Sequence, residues 1–323
     1  MRLDSEQLDF FGREGFLVAP NALDPTGLQP AIDEITATID VHAEAAVADG
    51  KLNHTYADEP FETRLWKIHQ EYEDLYWSVI YGQLQGHGIF ALVSNEELLD
   101  LAESVVGPEI IGSAVYRLRP KLPGHWHGEV PWHQDSGYFE PVCDNELILT
   151  VWVPFVDATV ERGCLEVMPG VHRGGVVRHT QLAPGEEGRR AYLEIREEDL
   201  PGERVVATPV DRGGVVLLTN RTPHRSTPNR SDVIRWSIDI RYQSADLPTN
   251  FPPLVMDRNG LASGNGAGSA DGSLPEAPLT CYPPESDFLV RSRSRPEAVV
   301  RTWQEFNEIR RAHLPADSTV RWA

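Results

Sequence analysis

Two stretches far apart in this chain carry its most reactive side-chain combinations: Trp132-His133-Gln134-Asp135, and His224 followed eleven residues later by Arg235. An imidazole and a carboxylate one residue apart, joined by a second imidazole from a distant segment, can offer three ligands to one face of a metal ion. The opposite positions then stay open, and two His with one carboxylate in that arrangement form the donor set of non-haem Fe(II) oxygen chemistry. Arg235 adds a planar guanidinium fork, which suits the carboxylate of a keto-acid cosubstrate beside the metal. His125-Trp126-His127 lies just before the first stretch and is a rival pair of imidazoles.

These residues need particular backbone to meet. In an extended segment residues two apart project to the same side, so His133 and Asp135 share a cavity only on a strand or strand end. Gln134 would then turn away or reach around the rim. Pro131 before the motif and Gly137 just after it oppose a helix. The distal half is clearer: Ile234, Trp236, Ile238, Ile240 and Tyr242 alternate with Arg235, Ser237, Asp239, Arg241 and Gln243. That period of two predicts a strand over 234–243, its apolar face covered by helices or a second sheet, its polar face on water or a wet cavity. His224 follows the apolar run Val215-Val216-Leu217-Leu218 and precedes the turn Thr227-Pro228-Asn229-Arg230-Ser231. Two strands joined by such a turn would bring His224 and Arg235 together.

Around this core, Asp4 with Gln7 forms a capping pair for a short opening helix carrying Leu8 and Phe11. Further helices are predicted from the twenties to near Gly50, over Glu71–Leu84, and over 96–106, where Gly107-Pro108 stops the last. Short strands follow at 112–118, 146–154, 164–168, 204–208, 214–219 and 234–243. Many short strands after a helical opening predict an α+β, mainly β fold: a jelly roll with helices packed on one sheet. The expected organisation is a single domain over residues 1–323. It comprises a helical part at about 1–110, a jelly-roll core at about 111–245, a flexible small-residue loop at about 257–278 that reads as a lid or as a disordered surface insertion, and a C-terminal helix at about 296–312. On that helix Val299, Trp303 and Phe306 would share a face. Arg291, Arg293 and Arg295 form a basic cluster that reads as an anion site or a solvated patch.

The formal charge is −20, from 29 basic against 49 acidic residues. That balance opposes nonspecific attraction to nucleic acid or anionic membrane, and no apolar run approaches the roughly 18 residues of a membrane span. The expected partner is a small-molecule substrate. A dianionic cosubstrate would need local positive charge, which a metal and Arg235 could supply. Cys143, Cys164 and Cys281 are odd in number and irregular in spacing, which fits a reducing, cytoplasmic setting and excludes a disulfide framework or cysteine zinc site. The first residues also lack the basic and apolar regions of a signal peptide.

With these residues in view, the chain resembles the phytanoyl-CoA dioxygenase family of Fe(II)/2-oxoglutarate oxygenases over about residues 5–245. Four blocks carry the likeness: 132–138 (WHQDSGY), 149–159 (LTVWVPFVDAT), 163–172 (GCLEVMPGVH), and His224-Arg225-Ser226 through Asn229, Ser231, Arg235 and Tyr242. Cys164 and Val171 depart from the family's usual residues. The resemblance implies a cupin-like double-stranded β-helix using Fe(II), 2-oxoglutarate and O2, with His133, Asp135 and His224 on iron. It also implies that Arg235 pairs with the distal carboxylate of 2-oxoglutarate, and that Gln134, Trp152 and Ser226 line the cosubstrate pocket. The expected reaction hydroxylates a small-molecule, acyl or natural-product substrate and releases succinate and CO2. Two alternatives differ: a metal-dependent cupin-type enzyme that uses no keto acid, and a non-catalytic jelly-roll binding module. The first has no need for a carboxylate clamp at Arg235.

Overall fold

The computed structural model describes residues 2–81, 86–113, 116–126, 128–139, 143–181, 193–247, 255–256, 262–263 and 288–313. Two antiparallel sheets organise it. The larger has seven strands, with Phe16–Ala19, Val215–Thr219, Ile148–Pro154, Ser237–Ser244, Ile110–Gly112 and Phe288–Arg291 in spatial order and Arg117–Leu118 also paired to Ser237–Ser244. The smaller runs His224–Ser226, Leu165–Val167, Val206–Thr208. A bridge from His133 to His224 extends it by one extended segment.

Side-chain alternation sorts the residues of the large sheet to two faces. Val151, Val153, Leu217, Trp236, Ile238 and Ile240 join one apolar cluster with Ile35 and Ile39 of helix Gln29–Ala48, Leu65 and Ile68 of helix Phe61–Glu71, and Leu98 of helix Glu96–Val106. Trp152, Val216 and Leu218, one residue out of phase, join Leu165 and Val167 of the small sheet. Helices therefore cover one face of the large sheet, and the small sheet covers the other. This is a double-stranded β-helix with helices on one side. Trp236 anchors the helical layer: its ring stacks on Phe61 with centroids 4.8 Å apart, and its indole N–H donates to the Phe61 carbonyl at 3.2 Å.

Several boundaries differ from the sequence expectation. The opening helix is Ser5–Glu14, with the Asp4/Gln7 capping box in place. The helix expected over Glu71–Leu84 is instead two, Phe61–Glu71 and Asp74–Tyr81, because Tyr72 adopts extended backbone between them; residues 82–84 lie outside those described. A helix at His87–Val93 was not anticipated. The C-terminal helix starts at Trp303, since Pro296–Ala298 makes only a 3-10 turn and Val299 is extended. Val299 is thus off the helix, and Val300 is buried with Phe306 in its place. Of the 257–278 loop, only 262–263 is described, paired with Val255–Met256. Two members of the basic cluster are ion-paired: Arg291 with Glu96, Asp100 and Glu103, and Arg293 also with Glu103.

One glycine fixes the turn that leads from His224 to Arg235. Gly163 has φ +75°, and a Cβ there would lie 2.4 Å from the Thr227 carbonyl and 3.0 Å from Lys121 Cδ. Gly163→Ala should therefore lower unfolding stability by roughly 1–3 kcal/mol, because the strained backbone and the clash add. Urea denaturation reads this as a lower midpoint. An unchanged midpoint would mean that the turn moves aside freely.

Candidate active site

The three predicted metal ligands come together where the sheets face each other. His133 and His224 sit opposite one another in an antiparallel bridge, exchanging backbone hydrogen bonds of 3.0 and 2.9 Å. Their rings lie 4.2 Å apart, centroid to centroid. Each ring's Nδ1 lies against a backbone carbonyl two residues earlier, Pro131 at 2.8 Å and Thr222 at 3.0 Å. With Nδ1–H donating to those carbonyls, both Nε2 lone pairs are free to face the space between. Burial, then the neighbouring His224, holds the His133 imidazole well below its ordinary pKa, so it is neutral and able to ligate.

Asp135 completes the set. Gln134 is extended (φ −109°, ψ 141°), but the chain then turns, and Asp135 is the first residue of a 3-10 turn, Asp135–Tyr138. The strand end expected from the HxD spacing thus lasts only to Gln134. Donor atoms of His133, Asp135 and His224 all lie within 4.8 Å of one another, and all three residues are buried. Among the described residues no second group of three such donors assembles. The rival His125 packs edge-on against His69 at 5.1 Å, and His127 lies outside the described residues.

Asp135 is tightly held. Thr150 donates its hydroxyl to Oδ2, while Arg241 donates from Nε to Oδ2 at 3.3 Å and from a terminal nitrogen to Oδ1 at 3.1 Å. Burial alone would raise this carboxyl's pKa, but Arg241 and the two imidazoles outweigh it and hold the group well below the usual carboxylate range. Arg241 also pairs with Asp239 at 2.9 Å, and Asp239 with Arg119 at 3.3 Å. Thr150, Asp239, Arg241 and Arg119 escaped the sequence reading. The signal was present for two of them, since Asp239 and Arg241 belong to the polar face of the 234–243 alternation, and that face is buried.

Arg235 lines the same pocket as the triad, along with Trp152, Ser226 and Leu218. It is 1% exposed. One terminal nitrogen donates to the Ser237 hydroxyl, the guanidinium carbon sits 5.1 Å from the Trp152 ring centre, and Nε has no partner among the described residues. Burial, then the nearby Arg119, lowers its pKa to about 10, so it remains charged at neutral pH. A desolvated cation with an unspent donor is a site for an anion.

The other expected pocket residues divide. Trp152 forms pocket wall. Ser226 also lines it, but its hydroxyl is committed: it accepts from Lys121 Nζ at 2.8 Å and Val130 N–H at 3.0 Å, and donates to the Gly128 carbonyl at 2.9 Å. Gln134 departs from the expectation. Its side-chain amide donates to the carbonyls of Gly175 and Arg221 and accepts from Val177 N–H, so it ties loops together outside the pocket. Of the two placements the HxD spacing left open for Gln134, away from the cavity or around its rim, the structure has the first. Lys121, missed in the sequence, is buried beside Arg235, and burial with that neighbouring charge pushes its pKa well down.

The model of the family described as Phytanoyl-CoA dioxygenase (PhyH) matches residues 11–237. The chain belongs to the phytanoyl-CoA dioxygenase family. Among curated members, phytanoyl-CoA dioxygenase domain-containing protein 1 of Rattus norvegicus is 37% identical over 149 residues, covering 41% of this chain and 50% of the relative. The peroxisomal phytanoyl-CoA dioxygenase of Homo sapiens is 25% identical over 252 residues, 76% of this chain and 69% of that one. A probable alpha-ketoglutarate-dependent hypophosphite dioxygenase of Stutzerimonas stutzeri is 32% identical over 162 residues, 49% of this chain and 54% of its own. The chain spans about half the length of the first of these phytanoyl-CoA dioxygenase relatives. Among solved structures, the non-heme monooxygenase ThoJ in its apo form aligns over 95% of this chain and 94% of its own, with TM-score 0.53 and 19% identity. That likeness agrees with the fold described above.

Proposed function

We propose that this chain is an Fe(II)- and 2-oxoglutarate-dependent dioxygenase that hydroxylates a small-molecule, acyl or natural-product substrate, with release of succinate and CO2. One observation carries the reading: a two-His, one-carboxylate donor set and a buried, under-partnered guanidinium line one pocket between the sheets. A metal-dependent cupin-type enzyme without a keto acid has no use for that guanidinium.

The residues fit the implied metal. Two imidazoles present Nε2, a carboxylate is held ionised, and the three leave the remaining directions unprotected by protein ligands, which suits non-haem iron. His133, Asp135 and His224 would hold it. Bound there with 2-oxoglutarate and O2, iron supplies the oxidising power for C–H hydroxylation. The protein's own work is placement. Arg235 pairs with the distal carboxylate of the keto acid, the Trp152 face limits where its carbon chain can lie, and the two sheets exclude bulk water. The keto-acid cosubstrate is further supported by the name of the Stutzerimonas relative.

The net charge of −20 supports a small-molecule partner over nucleic acid or an anionic membrane. Among the described residues no helix is long and apolar enough to cross a membrane. We infer a cytoplasmic setting from the three cysteines, whose odd number and irregular spacing suit a reducing compartment rather than a disulfide framework.

The test needs no substrate. Protein loaded anaerobically with Fe(II) and then given 2-oxoglutarate and O2 should form succinate above the metal-only background. A chelator should stop it. Iron-loaded protein that decarboxylates neither 2-oxoglutarate nor any other keto acid would favour the binding-module alternative.

A further inference from the structure

The hydrogen bonds around Asp135 do more than hold it in place: they count out how many of its lone pairs a metal can reach. An ionised carboxylate has four lone-pair directions, two on each oxygen. Oδ2 accepts from the Thr150 hydroxyl and from Arg241 Nε at 3.3 Å. Oδ1 accepts from the Arg241 terminal nitrogen at 3.1 Å and lies 3.8 Å from His133 Nε2, on the side of the imidazoles. Three directions are thus used within the protein. The one left is on Oδ1, facing His133.

We propose that Thr150 and Arg241 are positioning residues that make Asp135 a one-oxygen ligand, keeping metal positions open for the cosubstrate. This rests on the metal site proposed above. The physical need is clear. A carboxylate that takes a metal through both oxygens uses two positions, and one of those is then lost to a chelating keto acid or to O2. The structure guards against that from two elements: Thr150 on strand Ile148–Pro154, and Arg241 on the adjacent strand Ser237–Ser244, where the two residues stand in register. Arg241 is itself fixed by Asp239 at 2.9 Å, which Arg119 holds in turn at 3.3 Å. Thr150 is 1% exposed and Arg241 3% exposed, so no bulk water stands ready to replace either donor.

Thr150→Val is the sharpest probe, because it removes the hydroxyl, keeps the shape and leaves every metal ligand unchanged. Mn(II) is titrated by calorimetry into full-length wild type, Thr150→Val and Thr150→Ser, and 2-oxoglutarate is then titrated into each Mn(II) form without O2. Thr150→Val should bind Mn(II) within about threefold of wild type, since Oδ2 becomes available as a further ligand. Its 2-oxoglutarate affinity should fall on the order of tenfold. Thr150→Ser, which keeps a hydroxyl, should restore it. A merely structural role would weaken metal and cosubstrate together and would lower thermal stability in step.

Equal 2-oxoglutarate affinity in wild type and Thr150→Val overturns the proposal while leaving the metal site intact. A crystal structure of the wild-type Mn(II) form with both Asp135 oxygens at ligand distance does the same. If wild type binds no Mn(II), or His224→Ala binds it equally well, the metal site itself fails and this inference falls with it.

Discussion

His224→Ala should lose metal binding by at least about 100-fold while remaining folded. Two donors, His133 and Asp135, are left, and each lies on the same short stretch of chain. The fold survives because what joins His224 to His133 is backbone: the pair of 3.0 and 2.9 Å N–H···O=C bonds that alanine makes equally well. The imidazole goes, with its contact to the His133 ring and its Nδ1 bond to the Thr222 carbonyl. The readout follows from linkage. A ligand that binds the native state at about 100 times its Kd adds about 2.7 kcal/mol of stability, so the wild-type melting temperature should rise by several degrees with Mn(II). The variant should show the same melting temperature with and without the ion. A persisting Mn(II)-dependent rise in His224→Ala would place the metal elsewhere, and loss of the rise in a His125→Ala/His127→Ala double variant would move it to the rival pair.

What could be read from the sequence was whatever a period or a fixed spacing encodes. The 234–243 alternation foretold two faces, because packing in a two-sided sheet enforces period two; the strand itself is Ser237–Ser244, and Arg235 joins just before it through a bridge to Lys121. The HxD spacing left Gln134 turned away or reaching around the rim, and it is turned away. Its assignment to the cosubstrate pocket came from family resemblance, and the geometry of the strand end took precedence. Residues acting through another residue were harder to see. Thr150 sits in an apolar strand, where one hydroxyl reads as a tolerated core polar group, until Asp135 arrives from a different segment to accept its proton. Lys121 meets the site through its bridge to Arg235 and its bond to the Ser226 hydroxyl, and Arg119 through its pair with Asp239. Such pairings depend on sheet order, which no local pattern specifies. The helix expected over Glu71–Leu84 failed for a different reason: apolar spacing continues across Tyr72, but its backbone does not.

Arg235→Leu should separate stability from cosubstrate binding. In the ligand-free protein Arg235 is a buried cation that, among the described residues, has no carboxylate hydrogen-bond partner and a bare Nε, and its pKa is lowered first by burial and next by Arg119. A leucine there removes a desolvated charge and keeps apolar contact with Trp152, so ligand-free stability should hold or rise, as when buried ionic groups give way to apolar ones. The cost appears on binding. Removing one partner of a buried ion pair commonly costs about 3–5 kcal/mol, and even the lower end exceeds the tenfold change in affinity that accompanies each 1.4 kcal/mol. The 2-oxoglutarate affinity of the Mn(II) form should therefore weaken on the order of 100-fold, with Mn(II) affinity unchanged. A second ligand isolates the cause. 2-Oxopentanoate has the same keto-acid end and chain length but no distal carboxylate, so it gives the guanidinium nothing to pair with. Its affinity should be weak and nearly equal in wild type and Arg235→Leu, so the preference for the dicarboxylate disappears only in the variant. If the variant still prefers 2-oxoglutarate over 2-oxopentanoate as strongly as wild type does, the distal carboxylate is held by another cation, and Lys121, buried next to Arg235, becomes the residue to replace.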